Sequence, residues 1–202
     1  FNNNLENLDF SNTKFDSNSE FTFDLSKKFK IKNLKVDTKL NLDELNLKYD
    51  FPKIKNYIKS YNNLINLKQS KIHIKYSKEK FLIDGSSKYY INKNSHNLVQ
   101  FQIEKNKKKT NFETLLNLKT LELAFKDISY KKKKNEKATL TIKGFVSNKK
   151  LFFHKINYKE NNNKIEINNL EIGKNKILNI GKINFDYLNE NNFKNQINLI
   201  KK

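Results

Sequence analysis

Cysteine is absent, as are Trp, Met and Arg, and the 202-residue chain holds only four Gly and one Pro. Without Cys there is no disulfide framework, no zinc–thiolate site and no thiol nucleophile. Oxidising and reducing compartments both tolerate cysteine-free chains, so this absence leaves the compartment open. No stretch approaches the roughly 18 consecutive apolar residues that signal a bilayer-spanning helix. No signal-peptide pattern opens the chain and its first residue is Phe, which reads as an internal piece of a longer protein. Acidic residues are scarce, with 21 Asp and Glu against 41 basic residues, for a formal net charge of +20.

A charge of that size ordinarily points to nucleic acid or an anionic membrane surface. Here every basic residue is Lys. Arg supplies the bidentate fork that reads guanine and clamps phosphate, and a sequence-specific nucleic-acid binder without a single Arg would be unusual. The Lys residues accompany 35 Asn, while Ala occurs twice, a composition that follows adenine-rich codons rather than a ligand. Nucleic acid is therefore not an expected partner.

What the chain does have is aliphatic and aromatic content in a regular order. Phe, Ile, Leu and Val number 62, about 31%, well above the roughly 20% below which a charged chain stays disordered. They alternate with polar residues from one end to the other. Phe21, Phe23, Leu25, Phe29 and Ile31 share odd positions; the phase moves to even at Leu34, Val36, Leu40 and Leu42, then back to odd at Leu45, Leu47 and Tyr49. A slip of one residue turns a whole side-chain set to the other face, so each phase change predicts a turn or a bulge. Further runs follow at Ile72, Ile74, Tyr76; Phe81, Ile83; Val99, Phe101, Ile103; Phe112 to Leu118; and Leu121, Leu123, Phe125. The last are Leu140, Ile142; Phe153; Ile156, Tyr158; Ile165, Ile167; Leu170, Ile172; and Ile183, Phe185, Tyr187. Polar clusters punctuate them at 77–80, 105–109, 131–137, 147–150 and 160–164, where Asn tolerates positive φ and bonds its own backbone. The fold predicted is mainly β: one long curled antiparallel meander of short strands over residues 1–202.

One segment departs from period two. In DFPKIKNYIKSY, Ile54, Tyr57, Ile58 and Tyr61 form an i, i+3, i+4, i+7 stripe behind a capping Asp50 and Pro52, predicting a short amphipathic helix near 51–62. Two stretches, FLIDGSSKYYI and LTIKGFVSNKKLFF, share an apolar-x-Ile-x-Gly pattern, and Ile-Gly returns at Gly173 and Gly181; Gly there would permit a bulge or bend.

The residues of chemistry are dispersed. His73, His96 and His154 occupy separate hairpins, and His73 and His154 have the phase of outward positions rather than metal ligands. No carboxylate dyad, GxGxxG, phosphate loop or GxSxG elbow occurs, so no enzyme, metal or cofactor is expected. Lys107–Lys109 and Lys131–Lys134 read as solvated turn tips, with an anionic headgroup or phosphate contact as the sharper alternative.

The strand rhythm, Gly placement and hairpin pattern of residues 21–50, 71–91 and 138–187 resemble the AsmA-like superfamily of bacterial envelope proteins, which includes TamB-like and YhdP-like bridge proteins. The resemblance implies an open, β-taco-like groove in a periplasmic protein anchored to the inner membrane by parts of the chain outside these residues. It also implies phospholipid acyl chains as partners, carried between inner and outer membranes. The groove candidates are the apolar-phase residues Phe21, Phe23, Ile72, Ile74, Phe81, Ile83, Phe101, Ile103, Leu121, Leu123, Phe125, Leu140, Ile142, Phe153, Ile165, Ile167, Ile183 and Phe185. No second helical layer is expected to cover them. The competing expectation is a structural or adhesive β-rich module whose apolar face closes on itself as an ordinary core and takes no ligand.

Overall fold

The computed structural model describes residues 8–9, 13–48, 52–92, 95–174 and 176–201. Along the chain run β1 (Leu8–Asp9), β2 (Phe15–Leu25), β3 (Ile31–Lys48), a helix α1 (Pro52–Lys55), β4 (Leu64–Tyr76), β5 (Lys80–Asn92), β6 (Ser95–Asn106) and β7 (Thr110–Asn117). Then come β8 (Leu123–Phe125), a single 3-10 turn, β9 (Tyr130–Lys132), β10 (Ala138–Ser147), β11 (Lys150–Glu160), β12 (Asn163–Gly173), β13 (Lys176–Asn179), β14 (Lys182–Leu188) and β15 (Lys194–Ile200). The long strands make one antiparallel sheet of 13 strands that does not close into a barrel. Among the described residues, strands β8 and β9 pair only with each other.

Hydrogen-bonded register carries the period-two pattern straight across this sheet. One row runs Leu40, Ile72, Gly85, Phe101, Thr114, Ile142, Ile156, Ile167, Ile183 and Leu199 from β3 to β15. Its outward neighbours are mostly polar. The apolar runs merge into longer strands than their spacing suggests, because the phase changes fall inside strands as bulges. Register shifts between Lys68 and Lys71, where Gln69 has φ 52°, so Leu67 and Ile72 share a face despite opposite parity. Asn169 (φ 55°) does the same between Ile167 and Leu170 in β12, and Asn33 (φ 52°) between Ile31 and Leu34 in β3. Each bulge bends its strand and sharpens the twist, and together they curl the sheet. Eight strands from β4 to β14 contribute to one cavity of about 610 Å³, whereas a flat sheet would hold the outer two ~34 Å apart at ~4.8 Å per strand.

The glycines serve space rather than φ, since none has a positive φ. A Cβ on Gly85 would stand 2.6 Å from the Lys71 carbonyl and 3.0 Å from the Phe101 ring of the next strand; on Gly144 it would meet the Phe112 ring at 2.8 Å. The two Gly-containing stretches thus use one device, a ring of the neighbouring strand lying over a bare backbone. Gly144 also sits at a register shift in β10.

Two expectations need correction. Helix α1 covers only four residues rather than the predicted 51–62; Ile58 N–H still bonds the Ile54 carbonyl at 2.8 Å, but the Tyr57 carbonyl accepts the Ala124 N–H at 3.0 Å instead of continuing the helix. The stripe nonetheless packs inward, with Tyr61 buried and Ile54 and Ile58 against the core. The capping Asp50 lies outside the described residues. Second, the apolar face does have a partial second layer: residues 118–137 leave the sheet after β7, fold over its inner face with α1, and re-enter it at β10.

Candidate apolar cavity

The cavity of about 610 Å³ is floored by apolar residues at one end of the strands and roofed by α1 and the 118–137 excursion. Floor residues include Ile65, Leu67, Val99, Leu116, Leu140, Ile156, Ile165, Ile167 and Phe185; roof residues include Ile54, Ile58, Leu121, Leu123 and Phe125. Two of the lining tyrosines have their hydroxyls bonded. Tyr89 donates to the Asn117 carbonyl at 2.5 Å, and Tyr158 shares a 2.8 Å bond with Tyr130. Burial holds both Tyr89 and Tyr158 hydroxyls well above their ordinary pKa, so they remain neutral. The surface the lining presents is almost wholly apolar, so the cavity suits hydrocarbon.

Behind it lies a polar knot that fixes the roof. Lys132, 0% exposed, points its Nζ at the carbonyls of Lys119 (3.1 Å), Leu121 (2.8 Å) and Lys133 (2.8 Å), using all three donors to tie the excursion into a loop. This corrects the reading of Lys131–Lys134 as a solvated tip at Lys132 alone; Lys131, Lys133 and Lys134 are exposed. Tyr130 donates to Glu160 and stacks edge-on against Tyr158 and Tyr187 at 5.9 and 5.6 Å. Burial, with Glu136 alongside, pushes the Glu160 carboxyl above its usual range despite the bonds from Tyr130 and Asn163; burial likewise pulls the Lys132 ammonium down.

On several strands the inner face is more exposed at the end far from this knot. On β6 the inner face goes from Asn97, 4% exposed, through Val99 and Phe101 to Ile103 at 37%; on β10 it goes from Ala138 at 3% to Val146 at 41%. The trough is sealed at one end and open at the other.

No protein-family model, curated protein or solved structure matches the chain. Geometry therefore carries the functional reading. Of the groove candidates, Leu121, Leu123, Phe125, Leu140, Ile165, Ile167 and Phe185 line the cavity, although the first three do so from the roof and not from a strand of the main sheet. Ile72, Phe101, Ile142 and Ile183 continue the row of the floor residues Ile156 and Ile167, and Ile74, Ile83, Ile103 and Phe153 add the next. Phe81 follows at the open end. Phe21 (62% exposed) and Phe23 stand apart on the edge strand β2.

The outer face holds the rest. His73 Nε2 lies 2.6 Å from Asp37 and its Nδ1 3.8 Å from Asp84, the three on adjacent strands; the His73 bond holds the Asp37 carboxyl below its ordinary value. His154 is exposed at the β11 bulge beside Phe145, at 5.3 Å, and His96 lies against Tyr90 at 5.5 Å. Sequence reasoning missed the knot: nothing in KKKK distinguishes the buried Lys132 from its neighbours.

Proposed function

We propose that the chain is a hydrophobic-groove segment of an AsmA-like envelope protein, holding phospholipid by its acyl chains on the way between inner and outer membranes. The observation that carries the reading is the 610 Å³ cavity, lined by apolar side chains and continuous with an uncovered apolar sheet face. Its volume falls within the ~300–1,000 Å³ of single small-molecule sites. A hydrocarbon chain lying there gains roughly 0.8 kcal/mol per buried methylene without any directed bond, while the headgroup stays in water. The reading needs no catalytic residue. It places the protein in the periplasm, held at the inner membrane by other parts of the chain.

Native mass spectrometry of the purified chain, with lipid extraction in parallel, tests this. Co-purified phospholipid is expected, and uptake of a fluorescent fatty acid should change less than twofold between 0.05 and 0.5 M salt. A lipid-free protein that takes up no acyl probe would instead favour a closed structural module.

A further inference from the structure

Antiparallel register places five hairpin turns at the open end of the trough: 26–30, 77–80, 106–109, 147–150 and 173–176. Twelve of their 21 residues are Lys and one is acidic, against 41 Lys in 202 for the chain. The sealed-end connections 49–63, 93–94, 118–137, 161–162 and 189–193 hold 11 Lys in 44 residues, seven of them in 118–137. Genome bias acts on both ends alike, so it does not account for twelve in 21 against 11 in 44. Few of the twelve are neutralised: among the described residues Lys80 pairs with Glu104 at 2.8 Å and Lys150 with Glu171 at 2.8 Å.

The first of these turns also carries an apolar wedge. Phe29 is 87% exposed and has φ 55°, a conformation costly for an aromatic residue. The turn that presents it is well bonded, with Ser26 N–H to the Lys30 carbonyl at 3.0 Å, Phe29 N–H to the Ser26 carbonyl at 2.9 Å and Lys30 N–H to Ser26 Oγ at 3.1 Å. Lys27, Lys28 and Lys30 flank the ring. An exposed aromatic ring among cations is the chemistry of an interfacial anchor, the ring entering the acyl boundary and the ammonium groups resting on anionic headgroups.

We infer that this lysine rim is a membrane-docking edge that seats the open end of the trough on an anionic phospholipid bilayer. The geometry favours a bilayer over nucleic acid, because an exposed aromatic ring stands among the rim cations at the open end of an apolar surface, whereas outer-face lysines such as Lys75, Lys143 and Lys155 are paired with carboxylates. Docking there aims the trough at the acyl layer, so a chain slides in tail-first toward the Lys132 knot. The rim itself does not depend on the lipid-groove reading; only its consequence for loading does.

The test is flotation of the whole chain with neutral phosphatidylcholine vesicles and with vesicles containing 30% phosphatidylglycerol. The wild type should partition at least tenfold better onto the anionic vesicles at 0.1 M salt and lose that advantage at 0.5 M. Replacing Lys27, Lys28, Lys107, Lys108 and Lys149 with Gln should reduce anionic partitioning at least tenfold. Replacing Lys119, Lys126, Lys133, Lys134 and Lys137, exposed residues of the sealed-end excursion, with Gln removes the same charge and should change it less than twofold. Phe29→Ser should weaken binding several-fold with charge intact. Circular dichroism checks that the variants fold, and the wild-type comparison of vesicles stands without them. Equal losses from the two quintuple variants, equal binding to neutral vesicles, or tighter binding to duplex DNA than to anionic vesicles would each overturn the inference. Fatty-acid uptake that persists while docking fails would overturn the rim alone, and docking without uptake would overturn the groove alone.

Discussion

Ala138 and Val146 lie on the same face of the same strand, yet one is sealed in the core cluster and the other is 41% exposed. The two ends of β10 obey one alternating pattern and differ in what lies above them. Alternation specifies which face of a strand is apolar; it says nothing of whether that face is covered. Cover comes from α1 and from the 118–137 excursion, which gives no strand to the main sheet and is tied into a loop by one buried ammonium group. The difference between a core and a trough is here a matter of about twenty residues of roof.

Charge placed along β10 should break the comparison most severely. Leu140→Lys puts an ammonium under the roof and should cost about 4 kcal/mol or prevent folding, Ile142→Lys about 2, and Val146→Lys less than about 1, measured by urea unfolding. A flat series would contradict the gradient. Removing the tie is next: Lys132→Met strands three carbonyls and should cost about 3 kcal/mol, while the exposed Lys134→Met should stay within about 0.5. The acyl probe should also leave the Lys132→Met cavity faster.

The knot sets a pH dependence of definite sign. A carboxyl whose folded pKa is raised holds its proton longer in the native state, so the native state binds more protons than the unfolded one once pH exceeds the ordinary carboxylate value of about 4.3. Stability therefore falls as pH climbs from there through the raised value. Glu160→Gln should flatten the fall in Tm over that window relative to wild type; an unchanged slope would assign it elsewhere. The smallest effect belongs to the outer face. Lys143→Glu replaces a 2.7 Å pair with Glu113 by a repulsion between exposed groups, and should cost about 0.5 kcal/mol.

Much of the floor was legible because period two is a direct image of the pleat. Ile72, Ile142, Ile167 and Ile183 fall in one row, as their phase requires. The bulge at Asn33 was legible as a phase change between Ile31 and Leu34, though not as a feature internal to a continuous strand, since a turn and a bulge produce the same slip. Leu121, Leu123 and Phe125 imitate a strand run, and nothing local reveals that among the described residues Leu123 and Phe125 pair with β9 alone while Leu121 lies outside any strand. The knot was invisible because Lys132, Glu160 and Tyr130 meet across different elements, and a buried Lys inside a Lys run has no local signature. The lysine rim escaped notice for the opposite reason: each turn looks ordinary alone, and only register gathers five of them at one end.

The long excursion also bears on how the chain reaches this state. Nearly every long strand pairs with its sequence neighbour, so most of the sheet can zip from hairpins whose closing loops are a few residues long. The pairing of β7 with β10 is the principal exception, spanning the 20 residues from 118 to 137. Each doubling of loop length adds ~0.6 kcal/mol to closure, and non-local pairings are the slow ones. Two hairpin arrays, β2 to β7 and β10 to β15, are thereby expected to form first and meet at this seam, so the rate-limiting step of folding is the joining of two half-sheets while the roof closes over them.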